Sequence, residues 1–315
     1  KDRLEIGRNF MNKIWNACRF IQMNIPENWN NELDIDSAEL DLSDKWILSR
    51  LSKTIDDYNR QLDRFHFNEA AKVLYEFTWN DFCDWYVEIA KTRFYGNDEG
   101  KADIARTVSL KCIRTVLALL HPYSPFITED LWSHFKAANA LDLIVDQWPE
   151  RDFKSLNDNA EKEMVLLQKV VTAIRSIRSR MNVPPSKFPD LVVRCDDDQA
   201  SFLENHRELL KSLARIGEMT LGESIEKPGQ SATAVVGGME MYILLEGLVD
   251  LNQEKSRMGK RIGEINRLIT GINGKLSNEN FINRAPEHVV AKERTNLDRL
   301  TEELEKVTAN LEMLQ

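Results

Sequence analysis

The sequence predicts a mainly α fold made of a helical bundle, a small α+β unit and an antiparallel two-helix coiled coil. Its 315 residues include only 13 Gly and 9 Pro, a composition that favours long helices. Apolar residues recur at helical spacing through most of the chain. Near the end they repeat every seven residues in two separate segments, which is typical of a coiled coil.

The first 150 residues predict a bundle of five helices. Ile25-Pro26 is expected to end the first helix, Ser43 to cap the second, and Ser124 with Pro125 to begin the fifth. Residues 27–46 carry seven acidic residues against one lysine, and the acidic stretch up to Leu42 is the predicted loop between the first two helices. The predicted helices are 1–24, 43–64, 68–94, 101–120 and 125–138.

Residues 151–246 predict the small α+β unit. Its first helix is expected to stop before Pro184-Pro185, which cannot continue a helix. Gly237-Gly238 stands between two strand-like segments and predicts a two-residue hairpin turn. The predicted elements are a helix over 158–181, a strand over 191–195, a helix over 199–214, and strands over 232–236 and 239–245.

Residues 247–315 predict the coiled coil. Two heptad-repeat segments are separated by residues 277–286, so they are expected to fold back on each other as an antiparallel hairpin about 40 Å long. In the first segment the repeats are Leu251, Met258, Ile265 and Ile272, with Ile262, Ile269 and Leu276. In the second they are Val290, Leu297, Leu304 and Leu311, with Leu300, Val307 and Leu314.

Composition and motifs exclude several classes of protein. No apolar run approaches the roughly 18 residues that span a bilayer. Four cysteines, Cys18, Cys83, Cys112 and Cys195, are scattered without metal-ligand spacing, which indicates reduced thiols in the cytoplasm and no metal site. The chain contains no Ser/His/Asp arrangement, paired-carboxylate motif or glycine-rich phosphate loop, so we expect no catalytic residues in it.

Residues 7–20, GRNFMNKIWNACRF, carry the clearest functional signal. Three Asn, two Arg and one Lys accompany aromatic residues in four helical turns. Such donors beside rings suit unpaired RNA bases, which are read by stacking and by hydrogen bonds to their edges. The alternative is an amphipathic helix whose polar face is only solvated. In either case Ile6, Phe10, Ile14 and Ala17 are expected to form its buried stripe.

The distribution of charge also bears on an RNA ligand. The chain carries a net charge of −9, yet residues 168–187 contain five basic residues and no acid, and residues 252–275 contain six basic residues against two acidic ones. An acidic protein with separate basic faces fits a specific RNA ligand better than indiscriminate phosphate binding.

Seven blocks of sequence, in this order along the whole chain, resemble bacterial valyl-tRNA synthetases. The first four are shared loosely with isoleucyl and leucyl relatives, whereas the last two are specific because those relatives do not end in this hairpin. The blocks are GRNFMNKIWNACRF (7–20), DKWILSRL (44–51), FTWNDFCDWYVE (77–88), LHPYSPFITEDLW (120–132), IRSIRSRMNVPP (174–185), EGLVDLNQEKSRMGKRI (246–262) and KLSNENFINRAPEHVVAKER (275–294).

The resemblance implies an anticodon-binding domain of class I aminoacyl-tRNA synthetases at 1–150, a junction domain at 151–246 and a tRNA-binding coiled-coil arm at 247–315. The HIGH and KMSKS signatures of the family are absent, so the ATP-binding catalytic domain and the editing domain are expected before Lys1. The chain alone is then not catalytic and takes no cofactor, while the parent ligase attaches valine to its tRNA using ATP. The implied partner is valine tRNA, without DNA or membrane, and we expect a cytoplasmic monomer.

The resemblance also implies candidate RNA contacts. In the bundle, Lys13 and Arg19 would donate to bases or phosphates, Phe20 would stack on a base, and Asp81 would accept from an exocyclic amine. Arg8, Asn12 and Asn16 are second choices on the same helix. For the body and outer corner of the tRNA, the candidates are Arg175, Arg178, Arg257, Lys260, Arg261 and Arg267.

Two alternatives stay open from the sequence. One is a structural coiled-coil and bundle protein without an RNA ligand. The other is the equivalent part of an isoleucyl- or leucyl-type synthetase. The Asn- and Arg-rich face outside the heptads disfavours the first, and the last two blocks disfavour the second.

Overall fold

Two compact units make up the chain, Lys1–Leu167 and Gln168–Gln315. Helices dominate both, and a small mixed sheet lies in the second, which confirms the predicted mainly α fold class. The finer division into three domains stays a prediction. The computed structural model describes residues 2–27, 29, 33–35, 39–136, 140–247, 251–278 and 286–312.

The first unit is the predicted helical bundle. Phe10, Ile14 and Ala17 are buried as expected, but Ile6 is 56% exposed, so the predicted buried stripe begins one turn later. The helices are α1 (Asp2–Met23), α2 (Leu42–Asp63), α3 (Phe67–Glu76), α4 (Val87–Phe94), α5 (Glu99–Leu120), α6 (Pro125–Trp132) and the first part of α7 (Asp158–Arg180).

A π-helical segment, Phe77–Tyr86, joins α3 to α4 inside the helix predicted over 68–94. The Val87 N–H bonds to the Phe82 carbonyl, five residues back instead of four. This wider winding brings residues five apart onto one face, and such segments occur frequently at functional sites. Here it directs Trp79 and Asp84 to the same side of the helix, where both contact Lys13.

The cap of α2 differs from the prediction, because Asp41 rather than Ser43 is the N-cap. The Asp41 side chain accepts from the N–H groups of Ser43 and Asp44, and the Asp44 carboxylate accepts in return from the Asp41 N–H. This reciprocal capping box needs an acceptor three residues after the cap. Asp41 has one in Asp44, whereas Ser43 is followed at that distance by Trp46.

The ends of other helices also differ from the prediction. Ser124 does precede Pro125 at the start of α6, but its side chain makes no capping bond to a described residue. The helix ends at Trp132, six residues before the predicted end at Ala138, which lies outside the described residues. The helix predicted over 199–214 is two helices that meet at His206, α8 (Asp197–Asn205) and α9 (Arg207–Ala214).

The sheet of the second unit has four strands in the order β2-β1-β4-β3. Gly237 and Gly238 have φ angles of 58° and 86°, the positive-φ pair of a type I′ turn. They join two antiparallel strands, which confirms the predicted two-residue hairpin turn. Strand β2 was not predicted from the sequence, and it pairs parallel to β1 while the other pairs are antiparallel. The strands are β1 (Leu191–Arg194), β2 (Met219–Gly222), β3 (Ser231–Val236) and β4 (Met239–Leu244).

The coiled coil consists of α10 (Leu251–Leu276) and α11 (Glu287–Glu312). Ile265, Ile272 and Leu300 are buried at its seam, with Ile269 and Leu297 packed against them. Arg261 pairs with Glu303 and Lys275 with Glu293, so the sequence order reverses between the helices and the hairpin is antiparallel. The Leu314 repeat and the connection over 279–285 lie outside the described residues.

Candidate nucleic-acid interface

One face of α1 is a stripe of exposed hydrogen-bond donors. Arg8, Asn12, Asn16 and Arg19 are exposed and are spaced four, four and three residues apart, which places them along one side of a helix. Their side chains make no hydrogen bond or ion pair with any described residue. Trp15, three residues from Asn12 and four from Arg19, is 43% exposed beside them. The stripe combines amide and guanidinium donors with a ring.

Lys13 lies at the edge of this stripe and fastens α1 to the π-helical segment. Its ammonium donates to the Asp84 carboxylate and lies 4.0 Å from the centroid of the Trp79 ring. The Trp79 ring stacks on Tyr75 at 5.6 Å. The Lys13 side chain is 24% exposed, so part of its donor capacity still faces solvent and its role as an RNA contact stays a prediction.

A second cluster forms at the end of α1, where Phe20 meets the end of α4. The Phe20 ring lies 5.9 Å from the Phe94 ring and 6.5 Å from the Tyr95 ring, with the Lys91 ammonium 5.2 Å from its centroid. Tyr95 is 72% exposed. Phe20 was predicted from the sequence as a site residue, whereas Lys91 and Tyr95 were not. The signal that could have found them is the basic and aromatic run before Gly96.

A buried polar network holds the end of α4 in place. The Arg93 guanidinium donates to both carboxylate oxygens of Asp44, at 2.7 and 2.9 Å, and the Tyr86 hydroxyl donates to Asp44 at 2.7 Å. Arg93 also pairs with Asp41 at 3.2 Å. Burial opposes ionisation of Asp41, but Arg93 and bonds from Ser43 outweigh it and hold the pKa of Asp41 below its ordinary value. This network ties α4, and so Lys91 and Tyr95, to the start of α2.

The end of α1 is held separately. The Asn24 side chain donates to the Phe20 carbonyl at 2.8 Å, and the Arg106 Nε donates to the Asn24 carbonyl at 2.9 Å. Arg106 is itself paired with Asp103 at 2.7 Å and with Glu99 at 2.5 Å. The start of α5 therefore fixes where α1 ends and where Arg19 and Phe20 are presented.

Asp81 does not join these groups. Its carboxylate accepts from Arg50 of α2 at 2.9 Å. Burial raises the pKa of Asp81, while Arg50 opposes that rise. Asp81 is thus held in an ion pair with α2, and its predicted role as an acceptor for an exocyclic amine of a base stays a prediction.

The second part of α7, residues 168–180, is basic and belongs to the second unit. It contains one predicted RNA contact, Arg178, that the structure places in the interior. Arg178 is 7% exposed, and its guanidinium donates to the carbonyls of Arg215, Lys187 and Pro184. These bonds join the segment after α7 to the segment after α9, so Arg178 is not presented to an RNA phosphate. Arg175 is exposed and donates through Nε to the Leu213 carbonyl at 2.9 Å.

The basic residues of the coiled coil lie on α10. Lys260 and Arg267 are exposed and pair with no residue in the described part of the chain, and Arg257 is also exposed. Arg261 is paired with Glu303 at 2.6 Å and with Glu264 at 3.2 Å. Exposed ion pairs of this kind are weak, so a phosphate could compete for Arg261. The predicted contacts on α10 therefore face solvent.

The cysteines closest to the α1 stripe are buried in the bundle. Burial raises the pKa of the Cys83 thiol to about 12, against the opposing effect of Lys13, and burial also raises the pKa of Cys18. Because only the thiolate is alkylated, we expect iodoacetamide at pH 8 to leave both cysteines unmodified in the native chain and to modify them in urea. Peptide mass spectrometry checks this. Rapid native alkylation of Cys83 would contradict its burial.

The described residues contain no group of three or more His, Cys, Asp or Glu side chains arranged to hold a metal ion. Among the helices described, none is both long and apolar enough to cross a membrane.

Comparison with known proteins agrees with this geometry. The family model of the anticodon-binding domain of tRNA ligases matches residues 44–193. The family model of the valyl-tRNA synthetase tRNA-binding arm matches residues 250–315. The chain belongs to the valyl-tRNA synthetase family. The anticodon-binding match includes Lys91 and Tyr95, and the arm match includes α10 and α11.

Relatives similar to the whole chain are valine–tRNA ligases. The chain is 38% identical over 323 residues to the enzyme of Geobacter sulfurreducens, covering all of the chain and 36% of that protein. It is 36% identical over 321 residues to that of Syntrophotalea carbinolica, covering 99% of the chain and 35% of that protein. It is 37% identical over 294 residues to that of Bacillus subtilis, covering 93% of the chain and 33% of that protein. The chain thus spans about a third of the length of these synthetases.

Proposed function

We propose that this chain is the tRNA-recognition part of a valine–tRNA ligase, and that α1 and the end of α4 bind the anticodon loop. The observation that carries the proposal is the stripe of donors on α1 that pair with no described residue, which leads from Arg8 to Arg19 and ends beside the Phe20, Lys91 and Tyr95 cluster. An unpaired RNA loop offers base edges to such donors and base faces to such rings.

The polar donors and the aromatic rings are suited to different contacts with the RNA. Asn12 and Asn16 offer amides that can both donate to and accept from a base edge, and the Arg19 guanidinium can donate to a base or a phosphate. Tyr95, with most of its ring exposed, is the side chain best placed to stack on a base. The Phe20 ring is half-buried against Phe94 and supports the Tyr95 ring from the protein side.

The coiled coil contributes a different type of contact. We propose that Lys260 and Arg267, with Arg257 and Arg261, bind phosphates of the tRNA body. Their helix carries six basic residues against two acidic ones over 252–275, whereas residues 287–312 carry seven acidic residues against four basic ones. The RNA backbone is therefore expected against α10 and not α11, since phosphates are attracted to the basic side.

The specificity for valine tRNA is proposed from the names of the relatives. The transfer of valine and the use of ATP are assigned to the part of the ligase outside this chain. The chain itself would bind RNA as a cytoplasmic monomer, without a cofactor, DNA or a membrane. A scaffold without an RNA ligand does not account for the donor stripe. The match to the valyl arm disfavours an isoleucyl- or leucyl-type protein.

The direct test is a gel-shift titration of the chain with valine tRNA and with a second tRNA. We expect preferential binding of valine tRNA. With about four phosphate contacts, affinity should fall roughly 50- to 150-fold between 50 and 200 mM salt, because each contact releases counterions. A DNA hairpin with the anticodon-arm sequence serves as the control for general charge attraction. Equal binding of all three nucleic acids, or an affinity that does not depend on salt, would contradict the proposal.

A further inference from the structure

Two lysines at the proposed RNA-binding surface are each paired with a carboxylate. The Lys13 ammonium donates to the Asp84 carboxylate, and the Lys91 ammonium donates to the Glu88 carboxylate at 2.5 Å. Asp84 and Glu88 are four residues apart, so they lie on one side of the helical segment that continues into α4. Neither carboxylate has a second ion-pair partner among the residues that the structure describes. We call these contacts the two lysine–carboxylate pairs.

Each lysine also lies over an aromatic ring. The Lys13 ammonium is 4.0 Å from the centroid of the Trp79 ring, and the Lys91 ammonium is 5.2 Å from the centroid of the Phe20 ring. The attraction of a cation to the face of a ring adds to the attraction of the carboxylate. The same combination of ring, cation and carboxylate thus occurs twice, and it fixes the position of both ammonium groups in the free protein.

The carboxylates of the two pairs are more open to solvent than the lysines. The side chains of Asp84 and Glu88 are 47% and 45% exposed, against 24% for Lys13 and 38% for Lys91. A ligand that approaches this surface therefore meets the negative groups as well as the positive ones. Exposed ion pairs are weak, so a ligand with suitable donors and acceptors can rearrange them.

The two pairs lie within the surface that we assign to the anticodon loop. Lys13 and Phe20 are seven residues apart and so occupy the same side of α1. There Lys13 contacts Asp84, and Phe20 contacts Lys91. The exposed Tyr95 ring, which we propose stacks on a base, also lies beside Phe20. The negative charges therefore stand among the proposed base contacts and not at a distance from them.

Carboxylates at this position select against phosphates. A phosphate that approaches Lys13 or Lys91 meets a like charge beside the lysine, which is costly. The bases of an RNA loop are uncharged, and their N–H groups can donate to a carboxylate while their acceptors receive from an ammonium. Each lysine–carboxylate pair therefore favours the edge of an unpaired base over the backbone.

We propose that Asp84 and Glu88 are specificity-determining residues, which keep phosphates away from Lys13 and Lys91 and leave these lysines to unpaired bases. The inference rests on the proposed function, because it concerns the same surface. Recognition of the anticodon loop then includes repulsion of the wrong ligand as well as attraction of the right one. Without the two carboxylates, any nucleic acid backbone would find two additional cations here.

The test is a gel-shift titration of Asp84→Asn and Glu88→Gln with valine tRNA and with a blunt-ended RNA duplex, which offers phosphates but no unpaired bases. Each change removes a charge and keeps the shape of the side chain. We expect each to tighten binding of the duplex about twofold to fivefold, the equivalent of one exposed charge pair, and to raise its salt slope by about one or less. Valine tRNA should gain less, because its bases lose an acceptor. Duplex binding that stays unchanged, or an equal gain for both RNAs, would overturn the proposal.

Asp57→Asn is the matched control for these changes. Asp57 is 51% exposed and pairs with Arg60 one turn away on α2, where we propose no RNA contact. Its replacement alters the net charge by the same amount and also frees a cation, yet it should leave duplex binding nearly unchanged. Asp84→Glu, which keeps the charge, should discriminate between the two RNAs as wild type does. Equal tightening of the duplex by Asp57→Asn would show that net charge alone is responsible and would contradict the inference.

A double change locates the effect at the lysine. When Lys13→Met is combined with Asp84→Asn, the gain in duplex binding should disappear, because the freed cation is gone. A gain that persists without Lys13 would sink the inference. Wild type separates this outcome from failure of the proposed function. If wild type binds valine tRNA no better than the duplex, the proposed function fails and the inference with it. If wild type discriminates and both carboxylate variants discriminate equally well, only the inference fails.

Discussion

Replacing Arg93 with Met is expected to lower the free energy of unfolding by about 3–5 kcal/mol. The change removes the partner of Asp44, whose carboxylate is fully buried and would keep only the Tyr86 hydroxyl as a side-chain donor. An uncompensated buried charge is far more costly than the loss of an exposed pair. Urea unfolding followed by tryptophan fluorescence measures the change.

Arg60→Met is the matched control for Arg93→Met. Arg60 is half exposed and pairs with Asp57 and Asp56 one turn away on α2, so its replacement should cost less than about 1 kcal/mol. The double change of Arg93→Met with Asp44→Leu should recover part of the loss, because it removes the buried charge with its partner. If the two single changes cost the same, the buried network does not stabilise the bundle in the way that we infer.

The same network links stability to binding. Arg93 is two residues from Lys91 and two from Tyr95, so loosening its attachment to α2 should displace the cluster that we assign to the anticodon. Arg93→Lys keeps a charge but loses the two-pronged contact with Asp44. We expect it to remain folded and to bind valine tRNA more weakly than Arg60→Met does.

The elements that the sequence predicted well are those set by local pattern. The heptads of Ile265 and Ile272 led directly to the seam of the coiled coil, and Gly237-Gly238 to the hairpin turn. The strand β2 was missed because four residues acquire strand structure only through parallel pairing with β1. The cap of α2 was misplaced because Ser43 was judged alone, without the partner that Asp41 has in Asp44.

The candidate site shows the same division. The donor stripe of α1 follows from helical spacing and could be predicted. The basic and aromatic run before Gly96 marks Lys91 and Tyr95 as candidates, but their contacts with Phe20 could not be predicted, because they depend on the packing of α4 against α1. Arg178 was a candidate because the resemblance implied an RNA contact on its Arg-rich helix, but a sequence resemblance carries no information on burial, and the fold uses this guanidinium to join two segments of the second unit.

The second large effect is expected at the cluster that we assign to the anticodon. Arg19→Ala and Tyr95→Ala should each weaken binding of valine tRNA by about 1–3 kcal/mol, or roughly 5–150-fold, and reduce discrimination against an anticodon-swapped tRNA. Both side chains are exposed, and Arg19 makes no bond to a described residue, so neither change should disturb the bundle. Gel-shift titration against the two RNAs measures the ratio.

Lys260→Ala is the matched change on the coiled coil, because Lys260 is also exposed and pairs with none of the residues that the structure describes. A phosphate contact carries no sequence information, so both RNAs should be weakened by a similar factor and the salt slope reduced by about one or less. Arg8→Ala, at the far end of the α1 stripe, tests how far the base contacts extend. If Arg19→Ala and Tyr95→Ala weaken both RNAs equally while Lys260→Ala changes their ratio, the anticodon is bound by the coiled coil and not by the bundle.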